Sequence, residues 1–491
     1  MEPRSAWRHR LARGLRALRA GDAGGVPAWA GLGGVAALLG AARRRRRPPG
    51  GRRDCGAALD LAEDGVVAEV LGGLRGGGAG AAAAAGGGRA VEVGLEVLLR
   101  DRRECGSLVG KRVGVVSNPT GVLPDSLQHA VDALQAAGRC RVAAAFGPEH
   151  GFRGDRQAGE AEAGAKGGAV DRRSGVPCFD IYRKAGAQLA RVFEAAGVEA
   201  LVVDLQDVGA RFYTYIWTLY DCLEAAASMD PPLPVVVLDR PNPVGGLAVR
   251  GPLVADSEAS FVGRAPIPVQ HGLTIGELAL LFNAEFIGPK CGAPAPLEVV
   301  KMRGWRRGMF FRDTGLPWVA PSPNMPTPDT ALVYPGMCLL EGTNVSEGRG
   351  TTQPFETFGA PWVDGRLLGR LAEAVDRGKL LGVRFREAHF VPTFGKHAKQ
   401  PVAGLQVHVQ DRRVFDPLRT ALEILIQLRA LYPGQFQFTA AFGGGHFFDK
   451  LAGTPAVRRR IEAGAGLDAV VACWQEDLMW FRRTRTRFLL Y

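Results

Sequence analysis

Four short stretches decide the fold: Arg112-Val-Gly-Val-Val-Ser-Asn-Pro119, Val142-Ala-Ala-Ala-Phe-Gly-Pro-Glu-His150, Ala200-Leu-Val-Val-Asp204 and Pro234-Val-Val-Val-Leu-Asp-Arg-Pro241. Each is a continuous apolar run that stops abruptly in polar or turn-forming residues. Runs without apolar/polar alternation mark strands covered on both faces. Helix-length stretches, Asp125–Ala137, Ala187–Ala196 and Tyr215–Ser228, lie between them. Strand, helix and strand repeated in this way predict a parallel sheet with right-handed crossovers. In such a sheet the carboxyl ends of the strands share one edge, where ligands bind. The spacing therefore brings Ser117/Asn118, Glu149/His150, Asp204/Asp207 and Asp239/Arg240 toward one place. Asn and Asp at strand ends also serve simply as turn formers or helix caps. No G-x-G-x-x-G follows any of these strands and no G-x-x-x-x-G-K-[ST] occurs in the chain, so a nucleotide cofactor is not indicated.

Outward from this core the chain runs to 491 residues, long enough for two or three domains. Its net charge of +12 would suggest an anionic partner, but the charge is local. Residues 1–53 hold 13 arginines against Glu2 and Asp22, which leaves 48 basic and 47 acidic groups in the remainder. The body is neutral, which argues against nucleic acid as a partner. The first 53 residues, with Arg4, Arg8, Arg13, Arg16 and Arg19 beside Leu11, Leu15 and Leu18, have the look of a cleavable organellar transit peptide, mitochondrial or plastid. The alternatives are a signal-anchor at Val26–Ala42, short for a bilayer, and a plain basic leader. Gly76–Gly88 reads as a flexible Gly/Ala linker. Eight scattered cysteines, with no C-x-x-C and no Cys/His cluster, indicate reduced thiols and no zinc site. The domain division expected is a leader and linker over 1–90, a Rossmann-like domain over 91–288 and a smaller C-terminal α/β domain over 289–491.

Past residue 285 the texture changes. Pro317, Pro321, Pro323, Pro326 and Pro328 force an extended loop. Glu341-Gly-Thr-Asn344 and Ser346-Glu-Gly-Arg-Gly-Thr-Thr352 follow, dense in polar side chains, with glycines that allow close approach of a ligand. Leu367–Arg377 and Leu418–Ala430 read as helices, Arg384–Phe390 and Gly404–Val409 as strands. The cleft is expected between the two domains.

The stretches Phe146-Gly-Pro-Glu-His-Gly-Phe-Arg-Gly-Asp155, Asp207-Val-Gly-Ala-Arg-Phe-Tyr-Thr-Tyr215 and Glu341-Gly-Thr-Asn-Val-Ser-Glu-Gly-Arg-Gly-Thr351 closely resemble the exo-β-N-acetylmuramidase family of glycoside hydrolases. Gly110–Asn118, His271–Glu277, Pro321–Thr327 and the closing Leu489-Leu-Tyr491 extend the resemblance over the whole body from about Val91. Gln400-Pro-Val402 departs from the family pattern, in which a cysteine tends to precede the following strand. The resemblance implies a Rossmann-like domain with a smaller α/β domain. It implies release of N-acetylmuramic acid from the non-reducing end of peptidoglycan fragments. It also places the catalytic glutamate at Glu149.

Glycoside cleavage needs a proton for the leaving oxygen and support for an oxocarbenium-like centre. Glu149 is the expected general acid, partly desolvated behind an apolar strand; the competing role is an ion pair with Arg153. His150 is expected to orient it or to bind sugar. Asp204, Asp207 and Glu347 are the candidate second carboxylates, unless the substrate's acetamido oxygen attacks; the alternative for Asp207 is an ion pair with Arg211 four residues on. The lactyl carboxylate of muramic acid calls for a bidentate guanidinium, with Arg153, Arg211 and Arg349 as candidates. Asn118, Tyr213, Asn324, Asn344 and Thr351 complete the candidate sugar-binding set. A sugar-binding protein without turnover on the same fold is the other reading.

Overall fold

The computed structural model describes residues 89–101, 106–154 and 169–491, and residues 88–491 form one compact unit. The basic leader and most of the Gly/Ala linker lie outside the described residues. The body begins with Arg89, whose guanidinium bonds Glu96 at 2.6 and 2.9 Å and Asp125 at 2.9 Å, slightly earlier than the expected start at Val91.

The first part follows the order α1 (Gly94–Arg100), β1 (Arg112–Ser117), α2 (Ala130–Ala137), β2 (Arg141–Gly147), β3 (Ala169–Val170), β4 (Pro177–Asp180), α3 (Gly186–Ala196), β5 (Ala200–Asp204), α4 (Tyr215–Ala227) and β6 (Val235–Leu238). It continues through the ribbon β7 (Arg250–Leu253) and β8 (Pro268–Gln270), then α5 (Ile275–Phe282) and β9 (Leu297–Val300). The main sheet has seven strands in the order β3-β4-β2-β1-β5-β6-β9, parallel except for the short edge strand β3. Val113 pairs with Val142 on one side and Ala200 on the other, and the five residues of β5 are all buried. The unbroken apolar runs are thus strands with helices on both faces.

Because β9 lies past residue 288 yet pairs with β6, the sheet domain extends further along the chain than expected. The second part holds α6 (Pro328–Met337), β10 (Thr357–Ala360), α7 (Gly365–Asp376), β11 (Val383–Phe390), β12 (Val402–Val409), α8 (Pro417–Leu431), α9 (Phe447–Ala452), α10 (Pro455–Glu462), α11 (Leu467–Val471) and α12 (Gln475–Arg485). Its three strands run antiparallel in the order β10-β12-β11, with α7 packed on β11 and α8 packed on α6 and α7. One apolar core runs through both parts and includes Phe146, Tyr213, Tyr334, Phe355 and Phe448.

The chain reverses direction across the sheet between β1 and β5, the position where an open parallel sheet offers a crevice. Here that position is occupied. Asp204 is fully buried and takes a two-pronged ion pair from Arg240, Nε to Oδ1 at 2.5 Å and Nη2 to Oδ2 at 2.9 Å. Ser117 Oγ donates to the Asp204 carbonyl at 3.0 Å, closing the seam. The large cleft lies to one side, over the ends of β2 and β4.

Candidate active site

Glu149 stands on the turn that ends β2. Gly147 is required there, since a Cβ would come within 2.7 Å of the Phe152 amide. The turn then passes through His150 at φ 70° and Gly151 at φ 81°. Left-handed backbone at a residue with a side chain costs energy and is often found at functional sites. The folded-back turn leaves Glu149 half-buried on the wall of a cleft of about 830 Å³.

Both carboxylate oxygens of Glu149 accept a hydroxyl. Tyr182, just past β4, donates to Oε1 at 2.9 Å, and Thr214 donates to Oε2 at 2.6 Å. Thr214 occupies the N-cap of α4 but makes no side-chain cap, so its hydroxyl serves the carboxylate rather than its own helix. Burial, with the charge of Glu149 next, pushes the Tyr182 phenol up to about 12, which keeps it a donor at neutral pH.

Tyr213 and Tyr215 pack edge to face, ring centroids 5.1 Å apart, and Tyr215 donates to the Pro321 carbonyl at 2.5 Å. That bond seats the proline-rich loop, which brings Ser322, Asn324 and Met325 to the cleft. The opposite wall comes from the second part of the chain: Tyr334 and Cys338, then Glu341, Arg349 and Phe355. Arg349 donates to Glu341 Oε1 at 2.8 Å, approaches Glu347 Oε1 at 3.5 Å and lies 5.0 Å over the Phe355 ring. Burial would lower the Arg349 pKa, but the two carboxylates outweigh it and hold the guanidinium charged. Lys396 closes the row, 2.9 Å from Glu347 Oε2. Among the described residues no group of three or more His, Cys, Asp or Glu is placed to hold a metal ion.

Residues 113–329 match the N-terminal and residues 332–491 the C-terminal family model of exo-β-N-acetylmuramidase NamZ. The chain belongs to the NamZ exo-β-N-acetylmuramidase family. It is 44% identical over 401 residues to the peptidoglycan β-N-acetylmuramidase NamZ of Bacillus subtilis (strain 168), covering 82% of this chain and 91% of that one. Two crystal structures of DUF1343 family proteins from Bacteroides fragilis NCTC 9343 are similar to it. One has 35% identity and a TM-score of 0.71, the other 30% and 0.64; each covers 82% of this chain, and 100% and 99% of its own. The Rossmann-like sheet domain and the smaller second domain of the NamZ family are therefore the architecture of this chain, and the two family models meet near residue 330.

Within this NamZ fold the cleft gathers Glu149, His150, Tyr213, Asn324 and Arg349 from the expected set. The other expected residues do not line it. Asp204 is consumed by Arg240 at the seam. Asp207 is buried beneath the edge, its Oδ2 accepting from the Gly209 amide at 2.7 Å and lying 3.4 Å from His271 Nε2. No Asp207–Arg211 pair forms: Arg211 is fully buried and donates to the Leu451 carbonyl, and the loss of water lowers its pKa to about 9. Arg153 does not pair with Glu149; it grips Asp171 through two bonds of 3.0 and 2.7 Å. Glu347 faces Lys396 and Arg349, so it braces a wall residue from behind. Asn118 is buried and accepts from Thr120 Oγ1 at 2.5 Å, a turn former under the strand ends.

Asn344 straps two segments together, donating to the Gln435 carbonyl at 2.7 Å and accepting from the Gln437 amide at 3.0 Å. The Asn344 amide is thereby occupied. Thr351 turns inward to the Gly348 carbonyl at 2.7 Å. The residues missed from sequence are Tyr182, Arg183, Thr214, Ser322, Tyr334 and Glu341. Of these, Thr214, Ser322 and Glu341 sat within quoted motifs, whereas Tyr182 and Arg183 follow a four-residue strand that opens on Pro177 and carried no signal.

Proposed function

We infer that the protein is a glycosidase, an exo-acting β-N-acetylmuramidase that releases N-acetylmuramic acid from the non-reducing end of peptidoglycan fragments. The sequence likeness to the Bacillus subtilis muramidase over most of both chains supports this reading. The single structural observation that carries it is Glu149, half-buried on the cleft wall with a hydroxyl on each carboxylate oxygen. Two fixed donors orient the carboxyl group, and orientation is what a proton transfer to a bound ether oxygen requires.

In the proposed reaction Glu149 protonates the leaving oxygen as the C1–O bond breaks. Asp207 and Glu347 do not line the cleft, and Glu341 is engaged by Arg349. This favours attack on C1 by the substrate's own acetamido oxygen, with Glu149 afterwards accepting a proton from the water that opens the resulting ring. Tyr213, Tyr215, Tyr334 and Phe355 supply ring faces and edges beside the sugar.

The test compares wild type with Glu149→Gln on 4-nitrophenyl β-N-acetylmuramide. Turnover should fall by at least about a thousandfold, as loss of an acid/base group does at the upper end of its range, while calorimetry still detects sugar binding. Equal rates for the two proteins would overturn the assignment, and binding by both without turnover would establish a sugar-binding protein instead.

A further inference from the structure

We propose that Arg183 is the receptor for the lactyl carboxylate of the substrate, and so the residue that makes the cleft prefer a muramyl over a glucosaminyl sugar. This rests on the muramidase reading given above. A lactyl ether is the feature that separates the two sugars, and it is an anion, best met by a planar guanidinium with free N–H edges.

The candidate guanidiniums of the sequence are otherwise committed. Arg153 is held by Asp171 away from the cleft, Arg211 is buried beneath it, and Arg349, although on the wall, already carries Glu341 and Glu347. Arg183 lines the cleft beside Tyr182 and has no carboxylate within salt-bridge distance among the described residues. Its guanidinium lies 5.0 Å from the Tyr182 ring centroid and 4.7 Å from that of Phe261, a phenyl group 40% exposed at the cleft wall. Contact with two aromatic faces orients a cation without neutralising it, so its edges remain available to an incoming anion.

The backbone supports the same assignment. Arg183 sits at φ 58°, a strained conformation for a residue with a side chain, in a turn closed by the Lys184 amide on the Ile181 carbonyl at 3.1 Å. Its neighbour Tyr182 holds the Glu149 carboxylate. A single turn therefore carries both a support for the acid and the cation, and a sugar seated by its lactyl group at Arg183 is brought to Glu149.

The experiment measures kcat/KM of wild type, Arg183→Gln and Arg183→Lys on 4-nitrophenyl β-N-acetylmuramide and on its lactyl methyl ester, which is neutral. Arg183→Gln should lose about 30-fold on the acid and at most about twofold on the ester, with Arg183→Lys between wild type and Arg183→Gln on the acid, as expected for a charge-assisted bidentate contact. An equal loss on both compounds, or no loss on the acid, overturns the proposal. Should wild type hydrolyse neither compound, the muramidase reading fails by itself, and calorimetric titration decides the Arg183 question separately. Weaker binding of free N-acetylmuramic acid by Arg183→Gln, with N-acetylglucosamine unaffected, would then support the assignment; unchanged binding of both would overturn it.

Discussion

Thr214 gives its hydroxyl to Glu149 Oε2 at 2.6 Å instead of capping the helix it begins. An uncapped N-terminus typically costs about 1 kcal/mol, so the fold gives up local stability to hold a carboxylate. Thr214→Val should lower kcat on the nitrophenyl muramide by about tenfold, the worth of one well-placed hydrogen bond, with a smaller change in KM. Tyr182→Phe should act in the same direction. Because both bonds end on one carboxylate, the double variant should depart measurably from additivity; strictly additive losses would show that the two donors act independently.

Asp204 and Arg240 form a sealed ion pair at the seam between β1 and β5. Asp204→Ala would strand a buried guanidinium and should cost about 3–5 kcal/mol in urea unfolding. A loss under about 1 kcal/mol would mean that water reaches the seam, and that the position is open to ligand after all.

Asp221 is buried in α4 with Arg264 at 2.7 Å; burial pushes its carboxyl up to about 7, partly offset by Arg264. The folded chain then binds this proton more tightly than the unfolded chain does. Stability from this group is greatest in acid and declines as pH rises from about 4 through 7, levelling off above. The melting temperature of wild type should therefore fall relative to Asp221→Asn between pH 5 and 7 and run parallel to it above pH 8.

Arg89 ties the start of the compact unit to Glu96 and Asp125. A chain beginning at Gly88 should melt and turn over substrate as the full chain does. A chain beginning at Val91 loses this clamp and should melt about one degree lower, as a deficit of about 1 kcal/mol in a unit of this length would require.

Much of this was readable in the residues. The sheet strands announced themselves through unbroken apolar runs, and Glu149 stood out because glutamate is a poor turn former at a strand end. The helix expected over Asp125–Ala137 starts only at Ala130, since Leu127 adopts a left-handed conformation and the Ala130 amide turns back to the Gly121 carbonyl. Asp204, Arg211 and Asn344 misled for one physical reason. A polar residue at a strand end or in a connecting loop looks the same in sequence whether it faces a ligand or a partner distant in the chain. Arg240 lies 36 positions from Asp204, Leu451 lies 240 from Arg211, and Gln435 lies 91 from Asn344. Arg183 was overlooked for the converse reason: among the described residues it stands against the rings of Tyr182 and Phe261 and no carboxylate, and ring contacts leave no mark in a charge pattern.

The row Lys396, Glu347, Arg349, Glu341 alternates in sign and sums to zero. From beyond a Debye length, about 8 Å at physiological ionic strength, such a row is electrically silent. An anionic saccharide drifting toward the mouth would feel little pull from that inner wall, leaving discrimination to close-range fit rather than long-range attraction. That wall should accordingly add little salt dependence to encounter between dilute buffer and brine.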